Sequence, residues 1–519
     1  MLTAVTFNDT RVRPANDRSV NTAGDYILYW MQANRRLDHN LALDHAIAEG
    51  RRLGRPLVVY EGLRLRYPWA SERLHRFVLE GMRANATAAR RAGLTYWPWV
   101  ERKPGEGRGL LADLAARAAL VVTDDFPCFI VPGQVAALAA SVEVAVVAVD
   151  AGAIVPMSRL GPTVSAAAHL RPRIHRAFRE AWEHRAAARP EGSGAAPMAP
   201  PFEPADLDDL DGLLASLPLD RSVPAVPATP GGGPAARHRL ADFVAHRLRG
   251  TAERRSHPAP PDRAHQSGLS PYLHFGHIAI EEVVERVLAS TGDWSPAVLD
   301  PHAVGRREAF FCRDADVNVF LDEAITWRDL GLHWHWTRRQ DTESLERALP
   351  AWARATLAAH AGDARAHVYS VEEWEAGQTH DPLWNAAQRE LAATGTIHNY
   401  MRMLWGKKVL EWSRTPDEAY ATLEHLNNRY AIDGRDPNSY TGILWCFGLF
   451  DRPWAPERRV LGSVRYMSSE NTAKKFRLGP YLDYVASLPP SPSLPRSPSP
   501  HPLPRNGGEG GRGQKRDRA

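Results

Sequence analysis

Cysteine is scarce: Cys128, Cys312 and Cys446 are the only three in 519 residues. They are too scattered for a disulfide framework or a CxxC metal site, and their scarcity fits a reducing compartment. No uninterrupted apolar run approaches the roughly 20 residues that a membrane span needs. The most apolar stretch, 135–155, carries Glu143 and Asp150. The opening MLTAVTFNDTRVRP holds no charged-then-apolar leader, so export is not expected and a cytoplasmic protein is. No G-x-G-x-x-G joins a strand to a helix; GEGRG at 105–109 has the wrong spacing, which disfavours a conventional dinucleotide site. P-loop and G-x-S-x-G motifs are missing as well. His333-x-His335 and His274-x-x-His277 find no third or fourth ligand at sensible spacing, so no metal site is expected.

Charge of one sign is also in short supply. The formal net charge is +4, and residues 487–519 account for it, with six Lys/Arg against two acids. A nucleic-acid argument must therefore rest on a local patch. One runs from Arg452 to Arg477, where Arg452, Arg458, Arg459, Arg465, Lys474, Lys475 and Arg477 face only Glu457 and Glu470. Apolar residues at 44% and charged residues at 24% describe an ordinary globular chain. Tryptophan is the excess: 16 in all, eleven of them between Trp294 and Trp454.

Tyr26–Met31, Pro56–Tyr60, Leu94–Val100, Leu120–Thr123 and Val144–Val149 read as strands, with helical stretches around 40–53, 71–92, 109–118 and 133–141. That alternation predicts an α/β domain over 22–160, a doubly wound parallel sheet. Residues 161–235 read as an interdomain linker, rich in Ala, Pro and Gly from 186 onward. Residues 236–480 carry helix punctuation and almost no strand pattern, which predicts an all-α unit. Asp381-Pro382 and Gly395 bound one helix, and Thr415-Pro416-Asp417-Glu418 opens another as a capping box. The Pro/Ser- and then Gly/Arg-rich segment 487–519 reads as a disordered tail.

The densest segment is Ile397–Trp412, IHNYMRMLWGKKVLEW. On a helix Trp405 and Trp412 share one face, about 10 Å apart in rise, while Met403 lies about 200° from Trp405 and roughly alongside Tyr400. Trp384, on the preceding helix, can pack beside the indole stripe; spacing alone does not separate an electron route from a packed core. Glu323 and Trp327, at i and i+4, pair a carboxylate with an indole on one face. Asp433-Gly-Arg-Asp-Pro-Asn438 is a turn-forming loop with two acids, and Asn427 is a poor helix former placed mid-helix. Gln266-Ser-Gly-Leu-Ser270 offers hydroxyls and a close-approach glycine suited to phosphate oxygens or to a helix start.

Together SGLSPYLHFG (267–276), THDPLWNAAQ (379–388), YMRMLWGKKVLEW (400–412), LNNRYAIDGRDPN (426–438) and LGSVRYM (461–467) resemble the class II cyclobutane pyrimidine dimer photolyases of the photolyase/cryptochrome family. The resemblance runs from about Gly24 to Phe476. It implies an α/β domain joined to a helical domain that holds non-covalent FAD, active as FADH−. It also implies an enzyme, a carbon–carbon lyase that repairs UV-damaged DNA: light drives an electron to a flipped-out dimer, the cyclobutane ring splits and the electron returns. A deazaflavin-type antenna is common in the family, and no residue here matches one securely. The resemblance further implies a monomer.

By motif, Glu323 resembles the glutamate that hydrogen-bonds the dimer, and Trp327, Met403 and Trp445 the pocket walls, with Tyr400 lining the same cavity. Asn427 resembles the residue facing flavin N5, Arg402 and Asp433 the ion pair beside the isoalloxazine, and Asp436 a further flavin contact. Ser267, Gly268, Leu269 and Ser270 resemble the flavin-phosphate segment. Trp405, Trp384 and Trp412 match the chain that photoreduces the flavin, proximal to distal, and Arg465 the arginine that fills the gap left by the lesion. Leu404, Gly406 and Asn399 depart from the usual Tyr, Ala and Gly; Thr251 stands where an aromatic is expected; and Trp445–Asp451 is one residue short. The competing readings are a cryptochrome-like photoreceptor and repair of (6-4) photoproducts; the pocket residues argue against the first, and the want of a catalytic histidine at these motifs against the second.

Overall fold

The computed structural model describes residues 8–190, 197–338 and 344–489; beyond Pro489 the expected tail lies outside the described residues. Six strands form one sheet: β1 Val12–Pro14, β2 Tyr26–Trp30, β3 Leu57–Leu63, β4 Thr95–Val100, β5 Ala118–Asp124 and β6 Val146–Val149. Their order is β1-β6-β5-β2-β3-β4, parallel throughout except for β1, which runs antiparallel to β6. Strands β2 and β5 are buried along their whole length, as parallel strands covered on both faces must be. The covering helices are α1 Leu41–Leu53, α2 Glu72–Ala92, α3 Leu110–Ala116 and α4 Val131–Ser141. The edge strand β1 is an addition to the sequence reading; three residues, one of them proline, leave no alternating pattern to detect.

Chain order reverses between β2 and β5, the position where doubly wound sheets usually open a ligand crevice. Here the chain closes it with its own backbone. The Asp124 carboxylate, at the end of β5, accepts the N–H groups of Gln32, Ala33 and Asn34 at 2.9, 2.7 and 3.0 Å, and the Tyr29 hydroxyl at 2.9 Å.

Residues 161–235 contain the helix α5, Ala167–Glu183, and the short helix Leu210–Ser216. Leu170, Ile174 and Phe178 of α5 sit in one core with residues of the helical region such as Phe243, Val283 and Phe320. Beyond α5, the described residues form helices and turns, with a single isolated bridge between Arg458 and Gly462. The helix Pro382–Thr394 starts on the Asp381 carboxylate and stops at Gly395 (φ 68°), as its sequence signals require. The helix Pro416–Tyr430 is capped by Thr415, but the Glu418 carboxylate returns to the N–H of Arg414 rather than to that of Thr415.

Buried polar contacts hold the α/β domain against the helices. Arg73 of α2 donates to the carbonyls of Pro224, Tyr430 and Ala392 at 3.0, 2.6 and 2.7 Å. Each would otherwise be a buried carbonyl facing an unpaired guanidinium, a costly arrangement on both sides.

Candidate active site

A cavity of about 770 Å³ opens in the helical region, toward the upper end of the range for small-molecule sites. The motifs converge on it. Ser267, Gly268, Leu269 and Ser270 line one part; Glu323 and Trp327 another; Arg402, Met403 and Trp405 project from the helix Asn399–Trp412; Asn427, Asp433, Asp436, Trp445 and Arg465 complete it. Trp384 and Trp412 lie behind Trp405 rather than on the wall, as a route leading away from the cavity would require. Tyr400 is a correction: it is not a lining residue. Its ring packs edge-on against Phe476 at 4.7 Å, with the Lys475 ammonium 4.7 Å from its centroid, because its helical position turns it toward the end of the helix Ser469–Lys475.

Glu323 and Trp327 share a face, but on a π-helical turn, Asp322–Trp327, inserted between the α-helices Ala315–Leu321 and Arg328–Thr337. Such single wide turns cluster at functional sites because they re-aim side chains without ending the helix. The turn is anchored from outside: Arg171 of α5 forms a bidentate, buried pair with Asp322 at 2.7 and 3.0 Å. Glu323 itself accepts from Arg255 at 2.8 Å and Arg307 at 3.3 Å. Burial outweighs these two cations and raises its carboxyl above the usual range. Arg255 and Arg307 also line the cavity, and sequence reading missed both; among so many arginines neither carries a distinguishing local signal.

In the same cavity, Arg402 and Asp433 pair at 2.8 Å, and Ser270 donates its hydroxyl to the same carboxylate at 2.7 Å. Burial works against the charge on Asp433, yet Arg402 and Ser270 prevail and hold its carboxyl below the ordinary value. Asp436 caps the helix Pro437–Cys446 and accepts from His274 Nδ1 at 3.2 Å. The Asn427 amide nitrogen donates to Ser439 at 2.7 Å and Asn428 at 3.1 Å, which leaves its carbonyl as the acceptor. Gly268 has φ 65°, a left-handed conformation that side chains disfavour, so its backbone can approach a ligand closely. The Nε of Arg402 is buried with no partner among the described residues. A buried donor beside a large cavity is what a bound acceptor would satisfy. A lining that combines hydroxyls, backbone N–H groups, an ion pair and indoles fits a phosphorylated aromatic cofactor such as FAD.

Trp445 forms a wall between two cations. The Lys407 ammonium stands 4.4 Å from its ring centroid and the Arg465 guanidinium 5.6 Å. Lys407 is buried, donates to the carbonyls of Trp445 and Cys446 at 3.2 and 2.8 Å, and is pushed down to about 8 by burial. Asp451 holds Arg465 bidentately at 2.8 and 3.1 Å. Gly406 has a structural cause: a Cβ there would stand 2.5 Å from Cys446 Sγ, so the cysteine occupies the space that alanine would need. Along the same segment as the cavity-lining Arg465, the residues Arg452, Arg458, Arg459, Lys474, Lys475 and Arg477 are all exposed.

Behind the wall, Trp405 and Trp384 stack nearly parallel (8°) with centroids 6.3 Å apart. The Trp384 indole N–H donates to the Trp405 carbonyl, and the Trp405 N–H to Gln388, each at 3.0 Å. Both rings are buried.

No family model matches the chain. A deoxyribodipyrimidine photo-lyase of Methanothermobacter thermautotrophicus is 35% identical over 480 residues, covering 92% of this chain and 98% of its own. One from Oryza sativa is 32% identical over 484 residues, covering 90% and 88%. Among solved structures, a class III photolyase from Agrobacterium tumefaciens superposes with a TM-score of 0.61 at 18% identity, covering 89% of this chain and 86% of its own. An archaeal photolyase from Sulfolobus tokodaii, with two FAD molecules, gives 0.57 at 15% identity, covering 88% and 89%. These last two share the fold; the first two share the sequence over nearly their whole length, and the chain belongs to the photolyase/cryptochrome family.

Proposed function

We propose that this protein is a class II-type photolyase that repairs cyclobutane pyrimidine dimers in DNA, acting in the cytoplasm as a monomer on UV-damaged DNA. The observation that carries the reading is that one cavity is lined by a carboxyl of raised pKa, the indoles of Trp327 and Trp445, an ion pair, hydroxyls and a close-approach glycine.

Ser267–Ser270, Arg402, Asp433, Asp436 and Asn427 would hold FAD. When bound, that cofactor supplies the light absorption and the single electron of the repair chemistry. The protein's own part is binding and electrostatics. Trp327, Met403 and Trp445 offer apolar and aromatic surface to a flipped-out dimer, and damaged, poorly paired bases cost less to extrude than intact ones. Glu323, held by Arg255 and Arg307 on the cavity wall, is placed to hydrogen-bond the dimer, with the two cations beside it where negative charge develops. Arg465, fixed by Asp451 on the cavity wall, can enter the space that the lesion vacates, while the exposed basic residues between Arg452 and Arg477 meet phosphates. Trp405, Trp384 and Trp412 supply the electrons that bring oxidised cofactor to its active state. A deazaflavin-type antenna would add to light capture.

The test mixes purified, photoreduced protein with dimer-containing DNA under near-UV/blue light. Light-dependent loss of dimers is expected. If dimers persist while FAD is bound, repair is refuted and the photoreceptor reading takes its place.

A further inference from the structure

We infer that Trp374 is a fourth member of the indole row, the relay through which Trp384 and Trp412 exchange an electron. The inference rests on the reading of Trp405, Trp384 and Trp412 as an electron route. From sequence, Trp374 has no claim to such a role; it sits in a short helix, Val371–Ala376, outside every motif that resembles the family.

Among the described residues, the ring contacts of Trp384 are with Trp405 and Trp374, and none is with Trp412. Trp374 bridges that break. Its centroid is 4.7 Å from that of Trp384, edge-on at 60°, and 6.1 Å from that of Trp412, stacked at 8°. The row therefore runs from the cavity wall at Trp405 through Trp384, Trp374 and Trp412 with centroid steps of 6.3, 4.7 and 6.1 Å. Tunnelling falls off exponentially with the gap between rings, so two short steps outrun one longer jump.

Charge placement sets where the positive charge rests along the row: Trp374 is the easier ring to oxidise, and Trp412 gives up its electron against a penalty until the reductant refills it. Lys408 holds its ammonium 5.2 Å from the Trp412 centroid, only partly offset by Glu411 at 2.8 Å, so a positive ring at Trp412 is penalised. Among the described residues no cation stands over Trp374. Trp374 is 1% exposed, which protects an oxidised ring from water and solutes. At the outer end Trp412 contacts Tyr369 at 6.0 Å and the exposed His380 at 4.6 Å, where the row meets solvent.

The electrons balance without proton movement inside the row. Oxidised Trp384 takes one electron from Trp374, leaving Trp374 as the radical cation. Trp374 is refilled by one electron from Trp412, and Trp412 by one electron from a small thiol in solution, whose S–H proton passes to water and which is left as a thiyl radical.

The experiment uses the full FAD-loaded chain with the cofactor oxidised and dithiothreitol as reductant. Continuous blue light reports photoreduction, and transient absorption follows the tryptophan radical. With Trp374→Phe, the radical is expected to form and then to vanish by recombination, and photoreduction to fall to the level of Trp384→Phe. Trp374→Tyr, which restores an oxidisable ring, should recover part of it. Photoreduction at the native rate in Trp374→Phe, with Trp384→Phe blocked, would overturn the inference and leave the three-residue route standing. Native photoreduction in Trp384→Phe would instead refute that route itself. Bound FAD, measured by absorbance, shows that each variant is folded.

Discussion

Gly406 and Cys446 offer a sharp test of how the cavity keeps its width, because they meet where the helix bearing Arg402, Met403 and Trp405 crosses the helix Pro437–Cys446. Gly406→Ala brings two opposed effects. Alanine gains about 1 kcal/mol of helix propensity over glycine. Its Cβ, however, would lie 2.5 Å from Cys446 Sγ, deep inside normal contact, and relief by rotamer change or helix shift costs about 1–3 kcal/mol. The net expectation is a loss of up to about 2 kcal/mol. In a Cys446→Ala background the clash disappears, since the nearest remaining atom is the Cys446 Cβ at 3.8 Å. The same substitution should then stabilise by about 1 kcal/mol. The double-mutant cycle therefore predicts a coupling of about 1–3 kcal/mol in favour of the pair. Urea unfolding followed by tryptophan fluorescence, at fixed excess FAD, measures all four corners. A coupling below about 0.5 kcal/mol would mean additive sites, and the steric account of this glycine would be refuted.

Three further outcomes follow from the site. Glu323→Gln removes a charge-assisted hydrogen bond of about 1.5–3 kcal/mol, so repair per absorbed photon should fall about tenfold or more with FAD content unchanged; undiminished repair would refute the role. Replacing Arg452, Arg458 and Arg459 by Ala should flatten the slope of log affinity against log salt by about 0.7–0.9 for each phosphate left unneutralised, and an unaltered slope would place DNA elsewhere. Lys407 is pushed down from 10.5 to about 8, so between those values the folded state binds fewer protons than the unfolded one. Its contribution to stability therefore rises with pH across that window; if Lys407→Met shows the same pH slope of the urea midpoint, the assignment fails.

The parts of the fold that follow local rules were legible. Five strands stood out as apolar runs, and Asp381, Gly395 and Thr415 marked helix ends that the structure reproduces. Motifs in sequence order include cavity-lining residues such as Ser267–Ser270, Arg402, Met403, Trp405, Asn427 and Asp433, while much of the wall comes from residues outside them, such as Arg263, His398 and Ile443. What escaped depends on distance along the chain. The π turn at Asp322–Trp327 is a shift of backbone hydrogen bonds that leaves side-chain periodicity nearly intact. Arg255 and Arg307 reach Glu323 only in three dimensions. Tyr400 was misplaced because its direction is decided by Phe476, a partner from another part of the chain. Trp374 looked like core because it is core; its significance lies in which rings it touches.

The pair between Arg171 and Asp322 changes how the molecule should be divided. A cut placed where the composition shifts, near residue 236, would separate the helical catalytic region from the clamp behind its glutamate. The heritable and transplantable module is larger: it begins no later than Ala167, with α5 as its first helix. A chimera that joins a foreign N-terminal domain after Glu183 should fold with a misaligned Glu323, whereas one joined before Ala167 carries its own catalytic bracing.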